Sequence, residues 1–288
     1  MTGDTTLQHR IEAALLKGGV ALLRLLPPDT ASAAMGKLWR WIAPLTRRQA
    51  RALDNVARAF PDMDRGAREA LVRDMWENLG RIAAETLQLD RLVARPERFD
   101  YDVDDVRAAV GDGGAVVVGL HTGNWEVTAL GGIAAGWEPV GVYQALKNPA
   151  ADRLVHDLRA RLYPGGLLAK GHQTARRLLT LARGGARTAM LADLRDRRGV
   201  MVPFFGRPAS AGLYPAMIAI AADVPLIASR VVRLPGNRFR IEARVVAFER
   251  TGDRQADAEA ATRAYHALFE TWIREYPAQW MWIMRKWS

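Results

Sequence analysis

The sequence predicts an α/β fold, a mixed and mainly parallel sheet flanked by helices, preceded by an N-terminal helical extension. Two observations carry this. Up to about residue 90, apolar and acidic positions recur at helical spacing; beyond it, short strand-like runs alternate with helical segments, the pattern of β-α units laid into one sheet. Within the second part, Ala115-Val116-Val117-Val118-Gly119 is a short β-branched run of the kind that forms a buried parallel strand. No linker, repeat or low-complexity stretch divides the chain. A helical part (1–95) and an α/β core (96–288) are therefore expected to pack as a single domain.

Taken in order, helices are expected near residues 7–26, 30–42, 47–59 and 66–90, with Pro27-Pro28 ending the first. Gly111-Asp112-Gly113-Gly114 precedes the 115–119 strand and so reads as a turn. A turn then leads to a helix opening at Val127-Thr128-Ala129-Leu130. Residues 140–143 read as a strand, followed by helices near 150–162 and 172–183, the latter stopped by Gly184-Gly185. Residues 187–191 form the next strand, and a helix near 212–222 leads to a strand over 226–232. Phe239 to Val246 alternates and is expected to pair antiparallel with that strand across Pro235-Gly236-Asn237. A helix near 255–275 precedes a final aromatic strand.

Charge and composition narrow the function. The 41 basic and 31 acidic residues give a net charge of +10, which favours anionic partners: nucleic acid, anionic lipid or an acidic carrier protein. No nucleic-acid module is recognisable, so nucleic acid is not expected. There is no cysteine, which excludes disulfides and thiol chemistry. Neither a nucleophile elbow nor a phosphate-binding glycine loop occurs, and the His-Glu-x-x-His zinc spacing is absent. No metal site is expected.

The N-terminal segment points to a surface. Arg10, Lys17 and Arg24 recur every seven residues, on one stripe of a helix otherwise populated by Ile11, Leu15, Val20, Leu22, Leu23 and Leu26. Each Lys or Arg at a bilayer centre costs about 2.5–3.5 kcal/mol, so the segment is not expected to span. It reads as an interfacial helix on an anionic membrane surface, with Trp39 and Trp41 suited to the same interface. The alternative is a helix simply packed on the domain. Its interrupted apolar run is no cleavable signal.

The most informative residues are Leu120 to Leu130. His121 sits where a strand ends, and Glu126 lies about one turn into the following helix. The carboxyl ends of strands are where open α/β sheets bind ligands. A histidine with a carboxylate five residues on can form a hydrogen-bonded base and orienting acid; the plainer alternative is a capped polar group.

His121-Thr122-Gly123-Asn124-Trp125-Glu126 resembles the signature of the bacterial late lipid A acyltransferases, the lauroyl and myristoyl transferases. Asn55-Val56-Ala57-Arg58-Ala59-Phe60-Pro61, with Trp76 to Arg81 and Glu85, is similar to the family's helical N-terminal region. Asp193 with Gly199 to Ala209 resembles its next block, and Pro277 to Ile283 with Arg285 and Trp287 its C-terminal signature. These blocks stand in the family's order.

The resemblance implies a glycerolipid-acyltransferase-like fold and transfer of a fatty acyl chain from acyl carrier protein to a hydroxyl of a lipid A precursor. It places the enzyme at the cytoplasmic face of the bacterial inner membrane, with the acyl thioester as co-substrate and no cofactor. His121 would be the general base and Glu126 its orienting acid. Asn124 has two open readings, donor to a developing oxyanion or helix cap. Trp125 and Phe204-Phe205 would line the acyl chain or belong to the core. Asp193 would orient the sugar or pair with Arg195 or Arg197. Arg197 and Arg207 would meet phosphate, Arg197 alternatively carrier-protein carboxylates. Arg81 and Glu85, four apart, read as an intrahelical ion pair.

The chain departs from the family at Gln144, where arginine is common, at Ser210, displaced by one position, and at Met284, where histidine is common. Two alternatives follow: an acyltransferase for another glycolipid or lysolipid using acyl-coenzyme A, and a non-catalytic lipid-binding relative on the membrane surface.

Overall fold

The structure, a computed structural model, describes residues 7–171 and 173–287, the side chains of residues 7, 9, 10 and 13 excepted. Five helices open the chain: α1 (Leu7–Leu23), α2 (Pro28–Ile42), α3 (Arg48–Ala59), α4 (Arg65–Thr86) and α5 (Leu89–Val93). Pro28 begins α2 rather than merely ending α1, since a first-turn proline gives up an N–H that would have no helical partner. α2 crosses α4 closely: a Cβ on Gly80 would stand 2.5 Å from the Met35 carbonyl oxygen, so only glycine lets the two backbones meet.

The sheet follows as β1 (Phe99–Asp102), α6 (Asp104–Val110), β2 (Ala115–Gly119), α7 (Ala129–Ala134), β3 (Val140–Tyr143), α8 (Pro149–Ala160), β4 (Gly166–Ala169), α9 (Thr174–Arg183) and β5 (Arg187–Leu191). A hairpin, β6 (Val200–Phe204) and β7 (Arg207–Ala211), then leads to α10 (Tyr214–Ala222), β8 (Leu226–Leu234), β9 (Arg238–Val245) and α11 (Arg254–Glu275). Seven strands form one sheet in the order β1-β9-β8-β2-β5-β3-β4. Strands β8, β2, β5, β3 and β4 are parallel; β9 turns back antiparallel to β8, and β1 lies parallel to β9. The predicted mixed, mainly parallel α/β architecture is what the chain adopts.

Central strand β2 shows how the sheet is buried on both faces. Val116 and Val118 belong to the large core shared with α3, α4, α9, α10 and α11. Ala115, and with it Val117, packs on the opposite side with Val103, Val106, Trp137 and Ile227. The period-two alternation of side chains makes one run serve two cores.

Besides the short helices α5 and α6, three further features were not expected. Strand β1 carries two aspartates, tolerated at an exposed edge. Strand β4 is built from Gly166-Leu167-Leu168-Ala169, which has no β-branched residue. The β6–β7 hairpin pairs Pro203 with Pro208, possible because each strand of a two-stranded ribbon has a free edge. The expected final aromatic strand is instead a 3-10 turn over Pro277–Gln279 and irregular chain, with a single bridge between Thr122 and Trp280. Its indoles pack inward, Trp280 on Trp282 with ring centroids 4.6 Å apart.

Helix α1 is docked and exposed at once. Arg24 leaves the expected headgroup stripe and forms a paired contact with Asp90 at 2.8 and 2.7 Å. Lys17 is exposed; the side chain of Arg10 lies outside the described residues. Leu15, Leu22 and Leu25 remain 69–78% exposed.

Candidate active site

Strands β2 and β5 are parallel neighbours with Gly119 opposite Leu191. Two residues beyond each, at the carboxyl end of the sheet, stand His121 and Asp193. The register brings them together: His121 Nδ1 lies 2.7 Å from Asp193 Oδ1, and the His121 backbone N–H donates to Oδ2 at 2.9 Å. Trp280 Nε1 donates to the same Oδ2 at 2.8 Å. Asp193 is 1% exposed. Burial alone would push its carboxyl up, but the His121 ring, the His121 N–H and the Trp280 indole together hold it at about 2. An ionised Asp193 can only accept, so Nδ1 carries the hydrogen and Nε2 of the neutral ring keeps its lone pair. Nε2 has no protein hydrogen-bond partner among the described residues.

The backbone under His121 is fixed from the far end of the chain. Met281 N–H donates to the His121 carbonyl at 3.0 Å, and Gly123 N–H to the Gln279 carbonyl at 3.2 Å. Asn78 Nδ2, from α4, bridges the Gly123 and Gln279 carbonyls at 3.0 and 3.2 Å. Gly123 adopts φ +58°, and a Cβ there would stand 2.0 Å from the Val231 carbonyl oxygen, so this turn requires glycine. The Trp125 ring meets the imidazole edge to face at 5.0 Å and remains part of the site wall.

Glu126 does not orient His121, as the spacing had suggested. Its carboxylate takes a paired contact from Arg159 on α8, 2.6 Å from both Nε and Nη2, and a third hydrogen bond from Trp125 Nε1 at 3.1 Å. The chain turns through Trp125–Val127 as a 3-10 segment before α7 begins, which carries Glu126 to α8 rather than to the imidazole. The acid is Asp193, 72 residues downstream; the expected pairing of Asp193 with Arg195 or Arg197 does not occur.

Asn124 is fully buried, and both ends of its amide are engaged. Oδ1 accepts from the Glu126 N–H at 3.2 Å, the helix-cap reading, and Nδ2 donates to Glu85 at 2.7 Å. The amide is 0% exposed, and its N–H hydrogen bond goes to Glu85, so the helix-cap reading is the one this geometry shows. Glu85 pairs with Arg233 of β8 at 2.7 and 2.8 Å and accepts from Ser32 at 2.6 Å, while Arg81 turns the other way to Glu77 at 2.7 Å. The expected Arg81–Glu85 pair is thus replaced by a buried cluster that ties α2, α4 and β8 to the site loop.

Phe204 and Phe205 are 0% and 5% exposed and pack on Trp280, Trp282 and Trp287; they are core, not acyl-chain wall. Arg207 starts the returning strand of the hairpin and donates to the Arg58 carbonyl at 3.2 Å. Arg197 is exposed in the loop that follows Asp193. Gln144 is exposed in the loop after β3. Met284 is held by its carbonyl, which accepts from Asn55 at 2.7 Å. Among the described residues no cluster of His, Cys, Asp or Glu is arranged to hold a metal ion, and no helix is long and apolar enough to cross a membrane.

A mainly parallel sheet that sets a histidine against a buried aspartate at its strand ends defines an α/β protein with its candidate site at the carboxyl edge of the sheet. The sequence profile of the bacterial lipid A biosynthesis acyltransferases matches residues 1–288, and the chain belongs to that family. No curated protein matches it.

Proposed function

We propose that this acyltransferase moves a fatty acyl chain from an acyl carrier protein thioester to a hydroxyl of a lipid A precursor, with His121 as general base. The observation that carries the reading is the His121–Asp193 pair at 2.7 Å, with no hydrogen-bond partner for Nε2 among the described residues. An alcohol is a poor nucleophile because its proton is held far above neutral pH. A histidine, with a reference value of about 6.5, can take it. The acceptor O–H gives its proton to Nε2 as the oxygen forms a bond to the thioester carbonyl carbon. The tetrahedral adduct then collapses: the C–S bond breaks, and the leaving thiolate recovers the proton from the imidazolium. No covalent enzyme intermediate is needed, in keeping with a chain without cysteine. Glu126 and Arg159 shape the wall beside the base, with Trp125 between them and the imidazole.

His121→Ala is expected to abolish transfer while circular dichroism stays that of the wild type. The assay uses detergent-dispersed lipid A precursor with matched carrier-protein and coenzyme A thioesters, so the donor is decided in the same experiment. Wild-type-like turnover in the variant would remove His121 from the mechanism.

The same reading places the enzyme on the inner membrane as a peripheral protein. Leu38, Trp41, Ile42 and Leu45 form a stripe at helical spacing along and just past α2, 49–85% exposed, and Lys37, Arg47 and Arg48 are exposed beside it. An apolar stripe flanked by cations suits an anionic lipid surface. Trp41→Glu combined with Leu45→Glu is expected to weaken co-sedimentation with anionic vesicles at least tenfold, and unchanged binding would overturn this placement.

A further inference from the structure

Behind Asp193, on the side away from His121, lies a second set of ionisable groups. Lys286 is 1% exposed. Its ammonium donates to the Asp193 backbone carbonyl at 2.8 Å, stands 3.0 Å from His266 Nε2, and sits 4.8 Å from the centre of the Phe204 ring. His266, on α11, is 0% exposed, and its Nδ1 is 2.9 Å from the Thr262 carbonyl. That carbonyl can only accept, so Nδ1 holds the ring hydrogen and Nε2 accepts from Lys286. The titratable groups facing Lys286 are therefore Asp193 from the loop after β5 and His266 from α11; β6 contributes only the Phe204 ring.

We propose that Lys286 is a positioning residue for the base: a buried counter-cation that balances the Asp193 carboxylate from behind and keeps the His121 imidazole in its proton-accepting form. The inference rests on the reading of His121 as general base.

A carboxylate against an imidazole in a buried site favours the imidazolium. A base already protonated at neutral pH cannot take the acceptor's proton. A cation one residue further on opposes that pull while leaving Asp193 ionised and able to orient the ring. The neighbours keep the arrangement at one charge of each sign. Burial, and then the Lys286 charge, push His266 down to about 3, so it stays neutral. Burial lowers Lys286 itself to about 8, opposed by Asp193, so it remains charged at neutral pH. Packing does not account for a lysine here. A methionine would fill the space beside Phe204 without the cost of desolvating an ammonium, and one of the ammonium's two hydrogen bonds ends on the residue that holds the base.

The test compares the wild type, Lys286→Met, Lys286→Gln and Lys286→Arg as full chains. Two readouts are taken: the pH profile of kcat/KM for acyl transfer, and the ring-nitrogen NMR titration of His121, identified by its loss in His121→Ala. Removing the cation strengthens the hold on the imidazolium. The acidic limb of the profile and the midpoint of the His121 titration should both move up by about one pH unit in the methionine and glutamine variants. The arginine variant, which keeps the charge, should lie close to the wild type. Glutamine retains a donor to the Asp193 carbonyl, so it carries the test if the methionine variant does not fold. Folded variants whose profile and titration superimpose on those of the wild type would overturn the role of Lys286. A wild type without transfer activity would overturn the reading of His121 instead, and the NMR titration would still decide for Lys286.

Discussion

Asp193→Asn is expected to lower kcat by about 10³- to 10⁴-fold with the fold and KM little changed. The geometry dictates the direction. Two donors, the His121 backbone N–H and the Trp280 indole, point at Oδ2, so the single oxygen of asparagine must take that side. The amide NH₂ then faces His121 Nδ1, which has to accept, and the ring hydrogen is forced onto Nε2. The imidazole is still in place but has no lone pair where the hydroxyl proton must arrive. Steady-state kinetics on a thioester donor check this, with Glu126→Gln alongside. Because Glu126 is held by Arg159 and Trp125 rather than by the base, its variant should lose less. A Glu126→Gln defect larger than that of Asp193→Asn would reverse the two roles.

Glu85→Ala is expected to be the most damaging change to stability outside the aromatic core, at about 3–5 kcal/mol in denaturant unfolding. Glu85 is 3% exposed and the Arg233 side chain 11%. Removing the carboxylate leaves that guanidinium without its counter-ion and takes the acceptor from Ser32 and Asn124 at the same stroke. The loss arises from stranding a buried charge rather than from the net worth of the pair. Glu85→Leu combined with Arg233→Met should therefore recover most of it. A single variant within about 1 kcal/mol of the wild type would sink this account.

Much of this fold is legible along the chain because its elements are local. The run Val116-Val117-Val118, the Gly184-Gly185 stop and the Pro235-Gly236-Asn237 turn each declare themselves within a few residues. Strands β1 and β4 do not, since neither has the β-branched content that marks a strand; pairing to a neighbour makes them strands. The site divides the same way. His121 is visible as a polar residue at a strand end, and Asp193 as another. That they face each other depends on β2 and β5 being adjacent with Gly119 opposite Leu191, a long-range fact with no local trace. The five-residue spacing to Glu126 looked like a pair because it assumed an α-turn where the chain makes a 3-10 turn ending against Arg159. Lys286 and His266 were passed over for a related reason: as isolated residues in a helix and an aromatic tail, they carry no sign of being buried together.

The docking of residues 279–281 against the histidine loop also bears on when the protein can begin to work. The turn at Gly123 and the carbonyl of His121 are tied down by residues synthesised long after the whole parallel sheet. Closing so long a loop is a late and slow event in folding. A nascent chain that has completed β2 and β5 already contains the histidine and the aspartate, yet the Trp280 indole and the Lys286 ammonium have not been made. Chains truncated before residue 279 would display the family's histidine motif without a seated base. Residues 279–281 thus finish a seat for the histidine loop that the parallel sheet by itself leaves open.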